Sequence, residues 1–139
     1  MRKTKFTKLV VAGLCVLFLA ACSGLGSKLS EDFDETAVKD YAKQVITLIN
    51  NNDSEGIIKM STAQLEEALT KETLEEVYEA IAKGGAFKEF SEISVAGHTD
   101  STSKEEFAIA VVNTKYEEKK FTYTITFTKD MELAGLFYK

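Results

Sequence analysis

A stretch near the C terminus, residues 120–128, restricts the fold more than any other part of the sequence. It reads KFTYTITFT, and its bulky residues alternate strictly with threonine. Successive side chains of a β-strand point to opposite faces, so the alternation predicts a half-buried strand with a threonine outer face. The bulky residues, which should face a core, are Phe121, Tyr123, Ile125 and Phe127.

Three further stretches have strand character, because they are rich in β-branched and aromatic residues. They are residues 87–97, which form a more irregular strand, residues 105–116 and residues 132–138. Short polar turns at residues 117–118 and 129–130 predict consecutive antiparallel hairpins. The C-terminal part should therefore form a four-stranded antiparallel sheet.

The preceding part of the chain has apolar residues at helical spacing. The predicted helices are residues 31–52 with Ser30 as the N-cap, a broken helical region at 54–69, and residues 71–83 between Thr70 and Gly84-Gly85. Helices first and a sheet afterwards predict a single α+β domain over residues 31–139.

The N terminus has the pattern of a targeting segment. Arg2, Lys3, Lys5 and Lys8 form a basic head, and the uncharged apolar residues 9–21 follow it. That run is short for a membrane span and has the length of a signal-peptide core. We therefore assign residues 1–21 to a signal peptide.

The end of this segment, Leu19-Ala20-Ala21-Cys22, resembles a bacterial lipobox. The resemblance implies that Leu19, Ala20 and Ala21 are recognised by the lipoprotein signal peptidase. It also implies that Cys22 becomes the first residue and carries a diacylglyceryl group with acyl chains such as palmitate. Two acyl chains anchor a protein stably. The expected location is the extracytoplasmic face of the cell membrane, with residues 22–30 (CSGLGSKLS) as lipidated cysteine and flexible tether.

Charge and composition exclude several classes of partner. Removal of residues 1–21 takes away four positive charges and no acidic residue, so the net charge falls from −5 to −9. No arginine remains after Arg2, and Cys22 is then the only cysteine. A strongly acidic chain without arginine argues against nucleic-acid binding. A single cysteine excludes an internal disulfide.

The mature part resembles the domain-of-unknown-function family numbered 3887 over about residues 33–138. The segments that carry the resemblance are LEEVYEAIAKGGAF (residues 74–87) and MELAGLFY (residues 131–138). That family is similar in fold to the cystatin-like cone that ketosteroid isomerase and nuclear transport factor two share. The resemblance implies a curved sheet around a long helix, often with a pocket at the open end, and no established activity.

Aromatic side chains are the candidate lining of such a pocket. On the predicted strands we expect four of them to face inward, and two helical tyrosines to approach the same space. The six candidates are Tyr41, Tyr78, Phe107, Tyr123, Phe127 and Phe137. Two interpretations stay open, a fully packed core and a partly empty cone that binds a small apolar molecule.

Catalytic and metal-binding signals are weak. The only histidine, His98, lies in a Gly-His-Thr-Asp sequence that favours an exposed loop. Residues 51–62 faintly resemble a calcium loop, but Thr62 occupies the twelfth place, where a bidentate glutamate belongs. We therefore assign no catalytic residue, no metal and no cofactor.

Three functions are compatible with these observations. The favoured one is a non-enzymatic lipoprotein that binds a small apolar ligand or a basic protein of the cell envelope. The alternative is a small cone-fold enzyme, isomerase- or hydrolase-like, with an acid or base in its pocket. The third is a structural spacer.

Overall fold

The chain folds into four helices followed by four strands, in a computed structural model that describes residues 27–139. The helices are α1 (Glu35–Asn50), α2 (Ser54–Met60), α3 (Ala63–Ala68) and α4 (Lys71–Ala82). The strands are β1 (Phe87–Thr99), β2 (Glu106–Tyr116), β3 (Lys120–Phe127) and β4 (Leu133–Tyr138). The predicted α+β fold is confirmed. Within residues 27–139, no helix has the length and apolar character that crossing a membrane requires.

The sheet is an antiparallel meander in the order β1-β2-β3-β4. Val95, Ala110, Ile125 and Leu136 form one cross-strand row from β1 to β4. Register shifts interrupt the β1–β2 pairing between residues 87 and 89 and between 90 and 92, and the β3–β4 pairing between residues 126 and 127. Such irregularities bend a strand and increase its twist. The predicted hairpins are confirmed.

Helix α1 starts later than predicted. Asp34 is its N-cap, and the Asp34 carboxylate accepts hydrogen bonds from the backbone N–H groups of Thr36 and Ala37. The expected start at residue 31 after a Ser30 cap is wrong, because residues 31–33 form a turn. In this turn the Ser30 hydroxyl accepts the Asp32 N–H at 3.3 Å and donates to Glu106 on β2 at 3.4 Å. The helix begins only after this turn, at the Asp34 cap.

The second helical region is broken, as predicted, into α2 and α3. The break lies at Ser61, which has extended backbone angles and forms an isolated parallel bridge with Leu133 of β4. The next residue, Thr62, donates its N–H to the Leu133 carbonyl at 2.8 Å and caps α3 with its hydroxyl. The interruption therefore fastens the helices to the sheet. Thr70 caps α4 as predicted.

The core lies between α1 and one face of the sheet. The four alternating residues of β3 are all buried, with Tyr123, Ile125 and Phe127 at 0% exposure. This confirms the orientation predicted from the alternation. Helix α1 contributes Val38, Ala42, Val45, Ile46 and Ile49.

Residues 27–30 (the N-terminal segment) also pack on the domain. The Ser27 carbonyl accepts a hydrogen bond from the Gly97 N–H at 3.1 Å, and Leu29 packs against the core. The folded part thus begins before the expected boundary at residue 31. The signal peptide over 1–21, including Leu19, Ala20 and Ala21, the lipidated Cys22 and the rest of the expected tether up to residue 26 lie outside the described residues.

Candidate functional site

The four candidate lining residues on strands divide between the two faces of the sheet. Tyr123 and Phe127 lie in the core and are fully buried. Phe107 precedes the buried Ala108, and Phe137 pairs with Thr124 on the threonine face. Side chains alternate along a strand, so both lie on the outer face of the sheet. The expected inward orientation is wrong for Phe107 and Phe137, because their neighbours Ala108 and Leu136 are the residues that face the core.

The two helical tyrosines do not line a common interior space. Tyr41 is 39% exposed, and its ring meets the edge of Phe127 with the centroids 6.2 Å apart. The Tyr78 hydroxyl is hydrogen-bonded to the Ser54 hydroxyl at 2.8 Å, which ties α4 to the start of α2. Neither tyrosine lines either of the two cavities described below.

The core contains a polar chain that the sequence did not reveal. The Tyr116 hydroxyl donates to the side-chain oxygen of Asn50, and the Tyr123 hydroxyl lies 2.8 Å from the Tyr116 oxygen. Since the Tyr116 proton is used on Asn50, Tyr123 must donate to Tyr116. Asn50 ends α1 and Tyr116 ends β2, and no local pattern pairs two residues 66 positions apart.

These phenols are held in their neutral form. Burial raises the pKa of Tyr116, and burial together with donation to Tyr116 raises the pKa of Tyr123 further. Tyr138 has a raised pKa for the same principal reason, burial, with the Glu76 carboxylate adding to it. At neutral pH none of the three is ionised, so none supplies a base.

Two cavities formed by the described residues both lie at the surface. The first, of about 260 Å³, is lined by Ser91, Asn113, Thr114, Lys115, Lys120, Phe121 and Thr122. The second, of about 70 Å³, is lined by Ser27, Lys28, Ser30, Gly97, His98, Thr99, Glu106 and Phe107. Sites for small molecules usually enclose roughly 300–1,000 Å³ with mostly apolar walls. Both cavities are smaller than that, and of the six aromatic candidates only Phe107 lines one.

His98 lies on β1 rather than in a loop. It pairs with Phe107 of β2, and the two rings stack with their centroids 6.5 Å apart. The following loop is closed by Asp100, whose carboxylate accepts the N–H groups of Thr102 and Ser103. The Ser103 hydrogen bonds hold the pKa of Asp100 below its usual range. In the part of the chain that the structure describes, no three His, Cys, Asp or Glu side chains form a group suited to a metal ion.

A cluster of charged side chains lies beside the residues that directly precede α1. The Lys129 ammonium contacts Asp32 at 2.8 Å and Glu106 at 2.7 Å, and Ser30 donates to the same Glu106 carboxylate. The two carboxylates raise the pKa of Lys129. Lys129 therefore joins the residues after the N-terminal segment to β2 and to the β3–β4 turn.

Helices α3 and α4 carry many exposed acidic residues. We refer to their six exposed glutamates as the acidic helical surface: Glu66, Glu67, Glu72, Glu75, Glu76 and Glu79. Lys71 is the one basic residue of these two helices, and its ammonium reaches Glu75 only at 4.0 Å. Charge of this sign attracts positive charge and repels negative charge.

Comparison with known proteins gives a family and a fold. A family model described as protein of unknown function (DUF3887) matches residues 42–136. A protein from Ruminococcus gnavus ATCC 29149, solved by NMR, superposes with a TM-score of 0.71 and 26% sequence identity. The superposition covers 80% of this chain and 96% of that one. No curated protein matches.

Proposed function

The chain belongs to the DUF3887 family of proteins of unknown function, and we propose that it is a lipid-anchored extracytoplasmic domain that binds a basic protein of the cell envelope. The anchor part of the proposal rests on the N-terminal sequence. The basic head, the apolar run of residues 9–21 and the sequence Leu19-Ala20-Ala21-Cys22 together have the form of a lipoprotein signal. Two acyl chains on Cys22 would retain the domain at the membrane.

The filled core is the observation that carries the choice of a protein partner over a small ligand. Tyr123 and Phe127, two of the candidate pocket residues, are 0% exposed, and their side chains pack within the core cluster. An isomerase- or hydrolase-like site would need the same interior space for its substrate. A domain whose interior is occupied by its own side chains binds through its surface.

The sign of the partner's charge follows from the acidic helical surface. Its six glutamates stand on a domain that carries a net charge of −9 after loss of residues 1–21. Charge of one sign steers a partner of opposite charge and discourages contact with anionic lipid. Binding should therefore weaken as the ionic strength rises.

Intact mass spectrometry of the protein extracted from membranes tests the anchor. We expect a chain that starts at Cys22 and carries a diacylglyceryl group. The Cys22→Ala variant should lack the lipid and keep residues 1–21. An unmodified Cys22 thiol in the wild-type protein would refute lipid anchoring.

Photo-crosslinking in intact cells tests the partner. A crosslinking residue at Glu72, on the acidic helical surface, should capture a basic envelope protein, and the same residue at Glu92, on exposed β1, should not. In chains with the crosslinker at Glu72, the change Glu75→Lys plus Glu76→Lys should lower the yield. Glu89→Lys plus Glu92→Lys, with the same charge change on the sheet, should leave it unchanged. Equal capture at both positions, or an acidic captured protein, would contradict the proposal, and so would a stoichiometric apolar ligand in organic extracts of the purified domain.

A further inference from the structure

The N-terminal segment meets the sheet at one end only. Ser27 is hydrogen-bonded to Gly97, two residues before the end of β1. Beside this end lie the β1–β2 loop (residues 100–105) and the β3–β4 turn (residues 128–132), which contains Lys129. We call this the near end. The β2–β3 turn (residues 117–119) lies at the opposite, far end.

Glycine at position 97 permits this docking. A Cβ on Gly97 would lie 2.5 Å from the Lys28 carbonyl oxygen and 3.1 Å from the Leu29 Cα. Both are backbone atoms, so neither can rotate away as the end of a side chain would. The N-terminal segment therefore crosses β1 in direct backbone contact, and any larger residue at position 97 would displace it.

The length of chain between the anchor and this contact is short. Five residue steps separate Cys22 from Ser27 in the sequence. A fully extended chain covers at most about 3.4 Å for each residue, so Ser27 lies within about 17 Å of Cys22. Position 87 lies ten residues before Gly97 on β1, which corresponds to about 33 Å along the strand. The far end is therefore remote from the anchor.

We propose that the docked N-terminal segment orients the domain end-on, with its near end facing the lipid surface and its far end pointing away. This inference rests on the proposed lipidation of Cys22. It adds that residues 27–30 are a rigid part of the domain and fix which end faces the membrane.

The charge of the domain is consistent with this orientation. The net charge of −9 opposes a flat orientation on anionic lipid. The near-end loop and turn carry Lys104 and Lys129 beside Asp100, Glu105, Asp130 and Glu132. Their mixed charge provides no basic patch for lipid, so the anchor sets the orientation.

Energy transfer from a single dye to labelled lipid headgroups tests this orientation. The lipidated protein is reconstituted into phosphatidylcholine vesicles that contain an acceptor-labelled lipid. The dye is attached in the variants Ser101→Cys, at the near end, and Glu118→Cys, at the far end. When Cys22 is a thioether, each variant has one free thiol. Transfer from position 101 should exceed transfer from position 118 severalfold, and equal transfer from both positions, or stronger transfer from 118, would overturn the proposal.

Two variants test whether the docked N-terminal segment, rather than another feature of the domain, sets the orientation on the membrane. Insertion of about twelve Gly/Ser residues before Ser27 leaves the domain intact and lengthens the reach, so it should lower transfer from position 101 markedly. Gly97→Val should release residues 27–30 and reduce the difference between the two positions. If the insertion leaves transfer unchanged, the short connection does not set the orientation. The intact mass of the same samples is also measured. A mass without lipid on Cys22 would show that the proposed lipidation is wrong, whereas a lipidated protein with equal transfer would show that only the proposed orientation is wrong.

Discussion

The hydroxyl groups of Tyr116 and Tyr123 lie 2.8 Å apart in the core and are hydrogen-bonded to each other. Tyr116 donates a hydrogen bond to Asn50 at the end of α1, so the three side chains form a directed chain from Tyr123 through Tyr116 to Asn50. Tyr123 is 0% exposed and Tyr116 is 6% exposed. These hydrogen bonds join α1 to β2 and β3. Because Tyr116 takes part in both of them and Tyr123 in only one, the two tyrosines contribute differently to stability.

Replacement of these tyrosines should reveal that direction. Tyr116→Phe leaves the buried Tyr123 donor and the Asn50 acceptor unpaired, which should lower the free energy of unfolding by about 1–3 kcal/mol. Tyr123→Phe removes one donor and leaves the Tyr116–Asn50 bond, so the loss should be about 1 kcal/mol. Urea unfolding measures both. Tyr41→Phe, at the exposed ring, is the control and should change little, and a larger loss for Tyr123→Phe would contradict the assigned direction.

The raised pKa values of Tyr116, Tyr123 and Tyr138 predict that the free energy of unfolding falls at alkaline pH. Their pKa values are raised in the folded chain, whereas an unfolded tyrosine ionises at about pH 10. Above that pH the unfolded chain releases protons that the folded chain retains, so the stabilisation present below pH 10 is lost as the pH rises. Urea unfolding at increasing pH should show this decline, and the double variant Tyr116→Phe plus Tyr123→Phe should show a shallower one. Stability that does not change above pH 10 would disprove the effect of burial.

Gly85 provides a test of backbone conformation at the end of α4. Its φ is +80°, and a Cβ there would lie 3.0 Å from the Glu117 Cβ. Gly85→Ala should therefore lower the free energy of unfolding by about 1–2 kcal/mol. Asn52, with φ +54°, is the matched control, since Asn52→Gly relieves the same kind of conformation and should be neutral or stabilising. Thermal unfolding of the two variants compares them, and an unaffected Gly85→Ala would contradict the strain.

Lys129 should control how firmly the N-terminal segment is held. Lys129→Gln removes the contacts to Asp32 and Glu106, so the Gly97 N–H, which donates to Ser27, should exchange with solvent faster. The acceleration should be largest at low salt, because exposed ion pairs are screened. Hydrogen exchange at the Gly97 amide measures it. Lys119→Gln, at the far end, is the control, and an equal effect there would show that Lys129 has no special role.

Much of the fold follows from local pattern. The alternation in residues 120–128 predicted the buried face of β3, because side-chain direction in a strand depends only on position along it. Thr70 and Gly85 marked the limits of α4 because helix caps involve residues only a few positions apart. The family resemblance also agreed with the matched family.

The candidate site was harder to predict, since its residues are brought together by distant contacts. Residues 107–112 (FAIAVV) are all apolar, so the sequence of β2 did not indicate which face Phe107 takes, and the structure places both Phe107 and Phe137 on the outer face. Whether a cone is filled or open depends on how helix and sheet pack, and periodicity does not specify packing. Of the four aromatics that were expected to face inward, only Tyr123 and Phe127 do so, and both are part of the packed core.

The sequence by itself determined the order of helices and strands, the inward face of β3 and the net charge, because each depends on neighbouring residues or on composition alone. The tertiary structure decided that Ser30 donates to Glu106, 76 residues away, that Asn50 accepts from Tyr116, and that Ser27 accepts from Gly97. These are contacts between residues far apart in the chain, and such contacts exist only once helices and sheet have packed.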